Sequence, residues 1–91
     1  MNIELRFFAN FREAVGQKEL DWETEEGATV GSVLQAVESE YPDVDIFDDE
    51  GEIREFLSIM KNGREVTYME GTETPLDGDD TISVFPPVAG G

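Results

Sequence analysis

The chain has one stretch of helical hydrophobic period between alternating ones, and that stretch limits what it can fold into. In ATVGSVLQAVESEYP, residues 28–42, apolar side chains fall at Val30, Val33, Leu34, Val37 and Tyr41. This is the spacing of a single helix face. Thr29 is a good N-cap, since its hydroxyl can accept from an orphan N–H of the first turn. Pro42 stops the helix. Elsewhere the apolar residues alternate: Ile3 and Leu5 with Phe7, Leu20 with Trp22, Leu57 with Ile59, and Ile82 with Val84. Alternation is the mark of a strand with one buried face. One amphipathic helix and several half-buried strands have one economical solution, a single sheet curled over the helix. The expected class is α+β, with a core of Ile3, Leu5, Trp22, Leu34, Val37, Ile59 and Val84.

The connections order the elements. NFREAVGQ reads as a short turn ending at Gly16, joining the first two strands as an antiparallel hairpin. DVDIFDDEGEIRE, residues 43–55, reads as a solvated acidic loop. Asn62-Gly63 between apolar runs predicts a hairpin with a type I′ turn. Asp77-Gly78 marks a tight reversal before the last strand. The order is strand, strand, helix, strand, short strand, strand. The helical crossover allows the first and last strands to be parallel neighbours at the centre. Gly31, in the first helical turn, implies close approach to a strand.

Composition removes several functions. There are no cysteines and no histidines, so thiol nucleophiles, thiolate metal sites and the usual general base are absent. No nucleophile–base pair or phosphate-binding glycine loop is present, so no catalytic residue is expected. The acidic stretch does not fit a Ca²⁺ loop. Counting from Asp45, the third position is Phe47 and Gly51 falls seventh, where an acid and a sixth-position glycine are needed. No metal is expected. Against 22 Asp and Glu stand 6 Lys and Arg, a net charge of −16. Little is available to pair with phosphates, so no nucleic-acid partner is expected. No apolar run reaches the ~18 residues of a membrane span, and no signal peptide opens the chain. The expectation is a soluble, cytoplasmic protein with no membrane partner. A saline cytoplasm favours such an acidic surface, because molar salt shrinks the Debye length to about 3 Å. The competing reading is an acidic protein with a basic partner.

The sequence ends in Pro86, Pro87, Val88, Ala89, Gly90 and Gly91. Two prolines cannot donate to a sheet, so they end the last strand. The tail is either a frayed end or a thread whose carboxylate is the working group. Phe8, Met60 and Phe85 point away from the inward residues of their strands. On so charged a protein, a shared apolar patch beside the tail suggests a docking site. Lys18 and Lys61, the only lysines, are possible conjugation acceptors or ordinary surface residues.

The element order, together with ATVGSVL, KNGREV and LDGDDTISVFPPVAGG, resembles the β-grasp sulfur carriers and ubiquitin-like modifiers. The resemblance covers the whole chain and is nearest to the molybdopterin synthase small subunit, MoaD, and the small archaeal modifiers related to it. It implies a β-grasp domain over residues 1–85 and a flexible tail over 86–91. It implies that an E1-like enzyme adenylates the Gly91 carboxylate with ATP, the chain itself binding no cofactor. The acyl-adenylate then yields a thiocarboxylate, or acylates lysines of target proteins. In the MoaD case the sulfur acceptor is bound by the large subunit of molybdopterin synthase. Pro86, Pro87, Val88, Ala89 and Gly90 would thread the tail into the enzyme. The chain would be a carrier, a modifier or both, and not an enzyme. The alternative is a non-covalent ubiquitin-like binding module without C-terminal chemistry.

Overall fold

The computed structural model describes residues 1–87. Seven elements follow one another: β1 (Asn2–Phe7), α1 (Ala9–Val15), β2 (Glu19–Glu23), α2 (Val30–Glu40), β3 (Ser58–Lys61), β4 (Arg64–Glu65) and β5 (Thr81–Phe85). The strands form one mixed sheet in the order β2-β1-β5-β3-β4. β1 and β5 are parallel at the centre, with Leu5 beside Ile82 and Phe7 beside Val84. The other neighbours are antiparallel. The expected order and the central parallel pair are both present.

Alternation in the strands becomes burial on one face. Ile3, Leu5, Phe7, Ile59, Ile82 and Val84 are buried. They meet Val30, Val33, Leu34 and Val37 of α2. The start of α2 is fixed by a capping box. Ser32 N–H donates to Thr29 Oγ1 at 3.2 Å, and Thr29 N–H donates to Ser32 Oγ at 3.0 Å. Two orphan donors are satisfied reciprocally. Asn62 (φ 51°) and Gly63 (φ 85°) are both left-handed, as the type I′ turn between β3 and β4 requires.

Four local expectations are corrected. Residues 9–15 form helix α1 rather than a turn. Phe11 and Val15 bury one face, and Gly16 closes the helix in the left-handed region, donating to Arg12 O at 2.8 Å. Gly31 approaches a 3₁₀ turn, Gly71–Glu73, and not a strand. A Cβ at Gly31 would stand 2.8 Å from both Thr72 Cβ and Thr72 O, too close for any side chain to fit without movement. The acidic stretch is not merely solvated, since Val44 and Ile46 are fully buried and Phe47 nearly so. Trp22 is only half-buried and packs against the core's margin, because β2 is the outer strand beside β1. The tight reversal at Asp77-Gly78 is present: Asp80 N–H donates to Asp77 O at 3.2 Å, with Asp79 left-handed.

Candidate functional site

The tail leaves the sheet from its central strand. β5 ends at Phe85, flanked by β1 on one side and β3 on the other. Pro86 is half-buried and Pro87 exposed. Neither has an N–H to extend the pairing, so the sheet stops there. Val88, Ala89, Gly90 and Gly91 lie outside the described residues.

Beside this exit two aromatic rings stack. Phe8 follows β1 in an extended conformation and is the N-cap of α1. Parallel pairing puts Phe7 opposite Val84, so the next residues, Phe8 and Phe85, share the outer face. Their ring centroids are 4.3 Å apart and the rings 12° from parallel. Close aromatic pairs add roughly 1 kcal/mol beyond the area they bury. Both remain half-exposed, so an apolar plate stands at the root of the tail. Met60 is on the same face but pairs with Ser83, while Ser58 is the residue opposite Phe85. The structure therefore joins Phe8 and Phe85 directly and sets Met60 one step further from the tail.

Charges frame the plate. Arg6 Nε lies 2.9 Å from Glu4 Oε2 and 3.9 Å from Glu19 Oε1. On the β3 side, Ser58 Oγ donates to Glu65 Oε1 at 2.9 Å and Ile59 N–H donates to Glu65 Oε2 at 3.1 Å. Among the described residues no cluster of acids is arranged to hold a metal ion. No helix there is long and apolar enough to cross a membrane.

The two lysines occupy different environments. Lys18 is exposed at the start of β2. Lys61 has only 14% of its side chain exposed. Its Nζ donates to Pro75 O at 2.9 Å and lies 3.6 Å from Asp80 Oδ2. Asp80 in turn accepts from Asn62 Nδ2 and from the Asp77 N–H, both at 2.8 Å. Burial alone would favour the neutral acid. The Asp77 N–H, the Asn62 amide and the Lys61 ammonium outweigh it and hold the Asp80 carboxyl below its ordinary value. Lys61 is thus part of a structural clasp between the β3–β4 turn and the segment before β5.

Sequence reasoning missed three exposed apolar residues: Phe56 (76%), Tyr68 (89%) and Met69 (38%). The run after Asn62-Gly63 reads as a short strand. In the structure β4 is two residues long, and the chain coils at once into a 3₁₀ turn, Val66–Tyr68. The only available signal was apolar residues that no strand pairing could use.

A mixed sheet curled over one long helix, with the last strand central and running into a short tail, is the ubiquitin-like β-grasp fold. The chain belongs to the ThiS family, which matches residues 5–91. Small archaeal modifier protein 3 of Haloferax volcanii is 50% identical over 92 residues, covering all of both chains. The crystal structure of SAMP1 from Haloferax volcanii superposes with a TM-score of 0.87 at 27% identity, again over both whole chains. A chain of the Amycolatopsis orientalis BexX/CysO complex superposes with a TM-score of 0.79 at 25% identity, covering 98% of this chain and 99% of that one. The family is one of small modifier and sulfur-carrier proteins, and a relative is seen in complex with a partner protein.

Proposed function

We propose that this chain acts through the carboxylate of Gly91. An E1-like enzyme binds the apolar plate and draws in the tail. The carboxylate attacks the α-phosphorus of ATP and pyrophosphate leaves, giving an acyl-adenylate. A sulfur donor then displaces AMP to leave a thiocarboxylate, or a target lysine amine displaces it to form an isopeptide bond. For the sulfur branch, the large subunit of molybdopterin synthase is the proposed recipient. ATP belongs to the activating enzyme.

The observation that carries this reading is the end-to-end match. Family similarity runs through the diglycine, and the modifier relative aligns over its full length. The chemistry suits the residues. Gly90 and Gly91 bear no side chains, so a narrow channel can admit them. Pro86 and Pro87 restrict φ and hold the root of the tail away from the sheet. A misplacement of about 1 Å at a reacting atom can cost around a hundredfold in rate.

The test uses an E1-like enzyme, ATP and a sulfide source, followed by intact mass. The full chain should exchange one oxygen for sulfur, and with cell extract should leave a Gly-Gly remnant on target lysines. A chain lacking Gly90 and Gly91 should fold but fail to support pyrophosphate exchange into ATP. Exchange that persists in the truncated chain would overturn the proposal. Phe85→Ala should weaken enzyme binding roughly thirtyfold, the scale of a buried aromatic anchor.

A further inference from the structure

A second surface lies on the other side of the sheet. A cleft of about 330 Å³ opens between the segment before β3 and the two 3₁₀ turns. Its size is at the lower end of the ~300–1,000 Å³ usual for ligand clefts. Ile53, Leu57, Ile59 and Val66 line it with apolar surface, and Thr67 and Thr72 form the far wall. Ile59 belongs to the inward face of β3, whereas Phe8 and Phe85 stand on the outward face. The cleft is therefore separate from the plate at the tail.

Two further observations single it out. The exposed large apolar side chains among the described residues are Phe56, Tyr68 and Met69. Phe56 sits between the lining residues Glu55 and Leu57, while Tyr68 and Met69, which directly follow Val66 and Thr67, line a neighbouring hollow with Arg64 and Glu65. The lining carries two acids and one cation. Arg54 is committed to Asp45, with Nε 3.1 Å from Oδ1. Glu52 and Glu55 are exposed, and among the described residues no ion pair reaches either. Apolar surface exposed around a groove marks an interaction site more often than scattered surface residues do.

We infer that this cleft is a docking site for a partner protein's short segment in which apolar side chains alternate with lysine or arginine. The apolar side chains enter between Leu57 and Val66, while the cations meet Glu52 and Glu55. Charge complementarity decides the occupant. A second copy brings another net charge of −16 and the same acidic rim, so like charges would face each other at contact. This surface does not depend on the chemistry of the tail.

The experiment titrates the ¹⁵N-labelled full chain with the peptide acetyl-Lys-Leu-Lys-Leu-Lys-amide. Amide shifts should concentrate in residues 52–57 and 66–72. Leu57→Ala, and separately the pair Glu52→Gln with Glu55→Gln, should each lower affinity about tenfold. Glu52 and Glu55 are exposed and Leu57 lies at the margin of the core, so the free spectra should keep the native pattern. A peptide with glycine in place of leucine should lose the localised shifts. The inference fails if shifts scatter over acidic residues elsewhere, or if the glycine peptide binds equally well. It also fails if neither set of variants weakens binding, if no shift occurs, or if concentrating the protein alone moves the same amides. The last result would make the cleft a self-association surface.

Discussion

Residues 1–41 and residues 42–80 both bury apolar side chains, by different means. In the first part, most backbone N–H groups are spent within β1, β2, α1 and α2, helped at the start of α2 by the Thr29 and Ser32 hydroxyls. The second part has little regular structure, yet Val44, Ile46, Phe47, Val66 and Leu76 are buried. Here side chains take over the role of the ladder. Glu38, on α2, accepts from the N–H groups of Ile46 and Phe47 at 2.8 and 3.0 Å. Asp48 Oδ1 accepts from Glu50 and Glu52 at 2.9 and 3.0 Å. Buried Thr74 accepts from Glu70 N–H at 3.1 Å. Irregular backbone can enter a core only if such partners exist. The comparison divides the acidic residues into two populations. Some serve only as surface charge, and others substitute for secondary structure.

The largest effect should come from Ile46→Ala. If the irregular half is true core, it should cost about 2–5 kcal/mol in denaturant unfolding, the range for Leu5→Ala in the regular half. A loss near zero would break the comparison. Next is Glu38→Ala, which orphans two backbone donors. It should cost about 1.5–3 kcal/mol and speed hydrogen exchange at Ile46 and Phe47 first. Uniformly faster exchange across the domain would show that Glu38 acts only through global stability.

A smaller effect is expected at the Lys61–Asp80 clasp. The folded state lowers the Asp80 pKa. Its contribution is therefore present above the ordinary aspartate value of about 3.9 and is lost as pH falls through the lower folded value. As pH falls from about 5 towards 2 the native chain should lose more stability than Asp80→Asn does. Parallel pH profiles would contradict this. The smallest effect belongs to Asp49→Asn. Asp49 is exposed, so stability should move by no more than about 0.5 kcal/mol, upward because one of many like charges is removed. A large loss would place Asp49 in the structural population.

What the sequence disclosed follows the same division. Helix α2 and the strands were legible because their burial repeats with a fixed period. Asn62-Gly63 was legible because that pair meets a specific backbone requirement. The Phe8–Phe85 plate could be expected once the first and last strands were placed side by side at the centre, since parallel pairing aligns the two residues. Met60 depended on the β3–β5 register, which puts it opposite Ser83. Helix α1 was hidden because seven residues carry only two buried side chains, too few to show a period. The core role of Ile46 was masked by the acids around it, because its burial depends on Glu38, eight residues away. The clasp on Lys61 depends on the Pro75 carbonyl, fourteen residues away, and no local pattern records it.

The position of β5 has a mechanical consequence. The strand that leads into the tail is bonded on both edges, and its parallel partner β1 begins the fold. Tension applied between the start of β1 and the end of β5 runs along the strands. It loads the β1–β5 hydrogen bonds together, in shear, rather than peeling them one at a time. A domain hauled by its last residues would resist as a unit, giving way in one abrupt step instead of fraying from the pulled end.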